Sequence, residues 1–383
     1  VYNHFGPSDL DLWRFDGWSE NDRGGIYFYN DGRANTPWGE TRPDYGRPEV
    51  RSFIKENALM WLRDYHIDGL RYDMTAYMRS VDGRGDDLPD GWSLMREINE
   101  AIRTEFPGRI LIAEDLRGES HLSSTGPEGA HFHAQWDPGF VHPVRRAATT
   151  PYDGDRSLAE VRDAGARSYG DAFQRVIYTE SHDEVSNGRS RVPHEVNPWD
   201  PTGWHAQKRS TLAASLVFTS PGIPMVFQGQ EFLQGGWFRD DVPLDWYQNE
   251  RFQGIVRLYR DLIRLRRNFE DDTRGLRGHG LSVHHVHQDM NILAFHRWEY
   301  RGPHDDVVVV ANLGGVPRGD YRIGMPAAGL WRLKFNSDAR HYSEIFSDHP
   351  SSDVIAWDEP QDGMPARASV DIGPYSVLVY SRA

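Results

Sequence analysis

Three times between residues 50 and 183 the chain repeats one pattern: an amphipathic stretch at near-helical spacing, then a short apolar run that closes on a carboxylate. The first stretch carries Phe53, Ile54, Leu59, Trp61 and Leu62 and leads into Ile67-Asp68-Gly69-Leu70-Arg71-Tyr72-Asp73. Leu94–Phe106 precedes Arg109–Glu114, and Leu158–Ala166 precedes Arg175–Asp183. Helix-then-strand units in series predict parallel strands joined by crossover helices, an α/β layout. A further helix over Trp204–Phe218 leads through Pro221-Gly222-Ile223-Pro224 into Met225–Glu231, read as the last strand of a barrel. In a parallel barrel the catalytic groups gather at the carboxyl ends of the strands, which is where these acids stand.

After a helix over Phe252–Arg267 the pattern changes to alternating strands: Ser282–Val286, Ile292–Arg297, Val307–Asn312, Trp331–Asn336 and Ser376–Ser381. They predict a separate all-β sandwich. The charged, turn-prone run Glu270-Asp271-Asp272-Thr273-Arg274-Gly275 marks the boundary, giving a catalytic part over 1–275 and a sandwich over 276–383.

With 383 residues, 38% of them hydrophobic, the chain can build an extensive core. A formal charge of -14 argues against nucleic acid or an anionic membrane as partner and for a neutral substrate. The 13 Trp, 17 Tyr and 17 Phe supply flat rings that suit sugar faces as well as a core. Zero cysteines exclude disulfides, thiolate metal sites and a cysteine nucleophile. No apolar run is long enough to span a bilayer and no signal peptide is visible, so the expected compartment is the cytoplasm.

Asp73 ends its strand two residues after Arg71, so alternation sends both side chains to one side, where the guanidinium can keep the carboxylate ionised. From this motif alone a structural Arg–Asp pair that caps the strand is the favoured reading. Glu114 closes Ile110-Leu111-Ile112-Ala113 and would enter a desolvated site that raises a carboxyl pKa toward that of a general acid. Its neighbour Asp115 is the competing choice. Asp183 follows His182; a carboxylate there can take hydrogen bonds from sugar hydroxyls as positive charge develops, or form half of a metal site.

Val1-Tyr2-Asn3-His4, Gly69-Leu70-Arg71-Tyr72-Asp73, Ile112-Ala113-Glu114-Asp115 and Glu180-Ser181-His182-Asp183 together resemble, in order, four motifs of the alpha-amylase superfamily. The resemblance runs over nearly the whole chain and implies a (β/α)8 TIM barrel followed by the all-β domain. It implies a retaining mechanism on alpha-linked glucans, with Asp73 as nucleophile, Glu114 as acid/base and Asp183 as transition-state stabiliser. His4, Arg71 and His182 would complete the glucose subsite. Asn3 matches a position that binds calcium in many such enzymes, but too few carboxylates neighbour it to assert a site. No cofactor is expected. The His4 motif belongs to the third strand of the family barrel, so the chain is expected to lack the first strands, with a separate fragment or a preceding N-terminal segment completing it.

Within the superfamily, Glu180-Ser181-His182-Asp183-Glu184-Val185 and Ala113-Glu114-Asp115 resemble glucan branching enzymes. Thr36-Pro37-Trp38-Gly39 and Ala134-Gln135-Trp136 resemble maltooligosyltrehalose trehalohydrolases and make Trp136 a candidate substrate contact. The expectation is branching by transglycosylation, with hydrolysis as the alternative; Trp136, Trp199, Trp204, Trp237 and Phe238 would offer an acceptor glucan its aromatic surface. A non-catalytic sugar-binding relative would have lost one acid, and a metallohydrolase built on His4, His182 and Asp183 would leave Asp73 and Glu114 unused. His131, His133, His142, His284, His285 and His287 are assigned no role.

Overall fold

The computed structural model describes residues 3–5 and 10–383; Val1 and Tyr2 of the first motif lie outside the described residues. The chain divides into two compact units, Val1–Pro138 and Gly139–Ala383.

In the first unit, α1 (Pro48–Arg63) starts on a proline, whose fixed φ and missing N–H suit a first helical turn. It buries Val50, Ile54, Ala58, Leu59 and Leu62, residues at helical spacing. Phe53 and Trp61 remain 46% and 40% exposed. The chain continues through β1 (Gly69–Tyr72), α2 (Ala76–Arg79), α3 (Pro89–Glu105), β2 (Ile110–Ala113) and β3 (Ala134–Trp136). β1 pairs with β2 in parallel register, Gly69 with Ile110 through Tyr72 with Ala113, and β2 pairs with β3 through Ile112–Ala134 and Ala113–Gln135. A Cβ at Gly69 would run into the Ile110 carbonyl, so this start of the ladder requires glycine. The register sets Asp73 and Glu114 side by side just past their strand ends, and Glu114 N–H still donates to Tyr72 O at 3.0 Å. Tyr72, Met78, Leu94, Ile98, Leu111 and Phe132 form the core beneath them.

The second unit begins with α4 (Pro138–Thr149), α5 (Leu158–Ala166), β4 (Arg175–Ile177), α6 (Val192–Val196), α7 (Trp204–Thr219), β5 (Ile223–Pro224), α8 (Trp246–Arg251) and α9 (Gln253–Arg266). β4 pairs with β5 in parallel through Val176–Ile223 and Ile177–Pro224. Two strands differ from the sequence prediction. The expected Arg175–Asp183 strand stops at Ile177, because the backbone beyond it is claimed by other groups: Arg145 Nη1 donates to Thr179 O at 2.9 Å, and Val185 N–H turns back to Ser181 O at 3.1 Å. The strand expected over Met225–Glu231 lies before that range instead, at Ile223–Pro224, and only the Met225 N–H continues its pairing, to Ile177 O at 2.9 Å. Gly229, at φ 85°, turns the chain, Gln230 N–H donates to Phe227 O at 3.0 Å, and the Gln230 amide donates to Thr179 Oγ1 at 2.7 Å. Gly229–Phe232 is therefore a structural turn.

The all-β part comprises β6 (Gly280–His287), β7 (Ile292–Trp298), β8 (Val307–Asn312), β9 (Arg318–Met325), β10 (Gly329–Asn336), β11 (Val354–Ala356), β12 (Ala366–Ile372) and β13 (Ser376–Arg382). One antiparallel sheet runs β11-β10-β13-β8-β7-β6, and β12 pairs with β9 in a second. The run Val-Val-Val-Val-Ala of β8 is apolar at every step up to Asn312 because both of its faces are covered. Val307, Val309 and Ala311 pack with Leu212, Leu216, Leu258 and Leu262 of α7 and α9. Val308 and Val310 pack with Ile323, Met325, Ala368 and Val370 of the second sheet.

Candidate active site

Arg71, Asp73, Glu114 and Trp136 meet at the ends of the three parallel strands of the first unit. Arg71 Nη1 donates to Asp73 Oδ1 at 2.8 Å, and Nη2 donates to Glu114 Oε2. One guanidinium therefore holds both carboxylates. Its Nε has no hydrogen-bond partner among the described residues, and its central carbon Cζ lies over the Trp136 ring, 4.6 Å from the centroid.

The two acids sit in different surroundings. Glu114 is 1% exposed and also accepts from the Met74 N–H at 3.1 Å. Met74 has φ 35°, a left-handed conformation that a methionine rarely adopts, and this turn aims its N–H at Glu114. The Asp73 side chain is 39% exposed. It accepts from Asn3 Nδ2 at 2.6 Å, and the same amide reaches the Asp73 carbonyl at 3.1 Å. Asn3 Oδ1 lies 2.6 Å from His4 Nδ1, so both ends of this amide are engaged. The His4 ring stacks on Trp38 at 4.8 Å and 9°; burial lowers its pKa, with the Asp73 charge pulling the other way. Trp38 is 44% exposed beside it.

Asp115 separates from its neighbour by its partners. It is fully buried, with Arg79 donating through Nε at 3.0 Å and Nη2 at 2.9 Å and Thr75 Oγ1 at 3.0 Å. Arg79 extends this brace to Gly85 O at 2.7 Å. Asp115 thus ties the loops together while Glu114 faces Arg71.

In the second unit, His182 and Asp183 sit on the turn that follows β4, with His182 Nε2 3.2 Å from Asp183 Oδ2 and Asp183 52% exposed. Two glutamates bracket them. Glu180 is fully buried and accepts from the Val192 N–H at 2.6 Å; burial pushes its carboxyl pKa up, against the charges of Arg191 and Arg145. Glu184 meets His142 at 3.0 Å and Arg189 at 2.7 Å. Burial would raise its pKa too, but the His142 hydrogen bond and the charges of His142, Arg189 and Arg145 outweigh it and lower the carboxyl.

Asn3 and the two bracketing glutamates carry contacts that the motifs alone do not disclose. For Glu180 and Glu184 the only signal was their place in Glu-Ser-His-Asp-Glu. Trp199 and Trp237 stand 95% and 61% exposed. Trp204 does not: it packs against His205 and Tyr375. Among the remaining histidines, His285 and His287 both engage the Tyr321 hydroxyl, at 2.8 and 2.7 Å. Among the described residues no group of three or more His, Asp or Glu side chains is placed to hold a metal ion, and no helix is long and apolar enough to cross a membrane.

Comparison with known proteins agrees with this architecture. Residues 11–257 match the family described as alpha amylase, catalytic domain, and residues 283–383 match alpha amylase, C-terminal all-beta domain. The chain is 31% identical to the 1,4-alpha-glucan branching enzyme GlgB of Myxococcus xanthus, over 100% of this chain and 53% of that protein. It is 30% identical to the enzyme of the same name from Pseudomonas syringae pv. tomato, over 98% of this chain and 52% of that one. The chain thus spans about half the length of the curated relatives it matches. The crystal structure of pullulanase complexed with maltotetraose, from Anoxybacillus sp. LM18-11, superposes on 94% of the chain and 51% of its own at a TM-score of 0.65 and 18% identity, a likeness of fold. On these matches the chain belongs to the alpha-amylase family of glycoside hydrolases and transglycosidases; its parallel strands and helices make an incomplete form of the (β/α)8 barrel, followed by the C-terminal all-β domain.

Proposed function

We propose that the protein carrying this chain is a cytoplasmic 1,4-alpha-glucan branching enzyme working by retention, with residues 1–275 as its catalytic part and 276–383 as its β-sandwich. The observation that carries the reading is the guanidinium of Arg71 shared between Asp73 and Glu114. A retaining mechanism needs two carboxyl groups about 5–5.5 Å apart, one ionised and one able to give a proton. Asp73 is partly open and takes donors from Arg71 and Asn3, which suits an anion poised to attack. Glu114 is enclosed, which suits an acid.

In the proposed reaction Asp73 attacks the anomeric carbon of an alpha-1,4-linked glucose while Glu114 protonates the departing 4-oxygen. A glycosyl ester on Asp73 and a shortened glucan result. Glu114, now a carboxylate, takes the proton of the 6-hydroxyl of another glucan, whose oxygen displaces Asp73 and forms the 1,6 branch. His4, Arg71 and His182 would hold the glucose, and Asp183 would take hydroxyl hydrogen bonds that strengthen as the anomeric carbon becomes positive. The curated relatives named as branching enzymes support the choice of acceptor.

Incubation of the full-length protein with amylose tests this. New alpha-1,6 linkages with little gain in reducing ends are expected. Rising reducing ends without 1,6 linkages, or free trehalose from a maltooligosyltrehalose, would replace branching by hydrolysis.

A further inference from the structure

We infer that Trp136 is a positioning residue: its indole is the floor on which the guanidinium shared by Asp73 and Glu114 rests. The inference builds on the roles proposed above for those two acids.

Trp136 ends β3, and the Ala113–Gln135 register brings it alongside Glu114 on the neighbouring strand. The ring is 7% exposed, so it has almost no face to offer a sugar. One ring face meets the Arg71 guanidinium, with the carbon between the nitrogens 4.6 Å from the centroid. The two terminal nitrogens of Arg71 are committed to Asp73 and Glu114, while Nε makes no hydrogen bond among the described residues. The carboxylates therefore fix the guanidinium within its plane, and the aromatic face below fixes its tilt.

That tilt matters because Arg71 divides one positive charge between two acids with opposite tasks. Drawn toward Glu114 it would hold the acid ionised. Drawn toward Asp73 it would leave Glu114 without its counter-charge. A flat, electron-rich, water-excluding floor keeps the guanidinium astride both. A ligand-stacking role would act on binding, whereas a floor acts on the chemistry.

The test uses the full-length protein and total alpha-glucan cleavage, a readout independent of whether the acceptor is water or sugar. Trp136→Leu, which fills space without an aromatic face, should lower kcat by about 10²-fold with KM little changed, the penalty typical of a misplaced catalytic group. The basic limb of the kcat–pH profile, set by protonated Glu114, should move. Trp136→Phe and Trp136→Tyr should restore most of kcat and return the limb. In a cycle with Arg71→Lys the losses should be less than additive, because both changes disturb one guanidinium; if Trp136→Leu does not fold, the cycle is run with Trp136→Met, which also lacks an aromatic face. A raised KM with unchanged kcat and pH profile, or additive losses in the cycle, would overturn the positioning role and make Trp136 a sugar contact. Wild-type protein with no glucan-cleaving activity would instead overturn the proposed function, so the two failures are distinct.

Discussion

Glu114→Gln should lower turnover on amylose by about 10²–10⁴-fold, the range expected when a positioned general acid is removed. Glutamine keeps the volume and can still accept from the Met74 N–H that Glu114 meets at 3.1 Å, so the packing around β2 should survive. What it cannot do is deliver a proton to the departing 4-oxygen. The substrate therefore discriminates. Alpha-glucosyl fluoride, whose leaving group departs without protonation, should lose much less activity with this variant than amylose does. Asp73→Ala should abolish both, since no nucleophile remains for either leaving group. Near-normal turnover on amylose by either variant, with folding verified by thermal melting, would remove the corresponding assignment. Equal losses on amylose and on the fluoride for Glu114→Gln would count against the acid role while leaving Asp73 in place.

The geometry behind this expectation was legible in unequal measure. Alternation along Arg71-Tyr72-Asp73 is a local rule, and the Arg71–Asp73 contact it implies is present at 2.8 Å. That the same guanidinium also reaches Glu114, forty-three residues on, depends on the parallel register of β1 with β2, which no single strand encodes. Asp115 and Glu114 are adjacent acids after one apolar run. Their partners tell them apart: Arg79 and Thr75 claim Asp115, while Arg71 and the Met74 N–H take Glu114. Helices were read well because a 3.6-residue apolar stripe is written in the sequence, as in α1 and α9. β4 stopped short of its predicted end for a tertiary reason, since Thr179 gives its carbonyl to Arg145 instead of to a ladder. β9 and β12 do carry a period-two alternation, Tyr321, Ile323 and Met325 in one and Ala366, Ala368, Val370 and Ile372 in the other, but it is faint in β12, where two of the inward positions are alanines.

The largest effect on stability should come from Asp338→Ala. Lys208 and Asp338 are both fully buried, with Nζ 2.6 Å from Oδ1 and the ammonium 4.6 Å from the Phe346 ring centroid. Removing the carboxylate leaves an ammonium in an apolar interior and also frees the Ser347 Oγ and His349 N–H donors, which lie 3.0 and 2.9 Å from Oδ2. Loss of one member of a buried pair costs about 3–5 kcal/mol. Lys208→Met should cost less, because Asp338 would keep those donors while the methionine fills the aliphatic volume. The pH dependence follows from the lysine. Burial pulls the Lys208 ammonium down to about 8, with Asp338 opposing that shift. A base whose folded pKa lies below its unfolded value binds fewer protons when folded, so its contribution to stability rises with pH between the two values. Without Asp338 the folded pKa falls further, and the variant begins to recover at a lower pH than the wild type does. The difference in unfolding free energy should therefore be widest in mildly acidic buffer, narrow as pH rises to about 8, and stay level above that. Denaturant melts of both variants and wild type across this range check it. An Asp338→Ala loss no larger than that of Lys208→Met, or a gap that widens toward pH 8, would show that the pair contributes through something other than the buried charge.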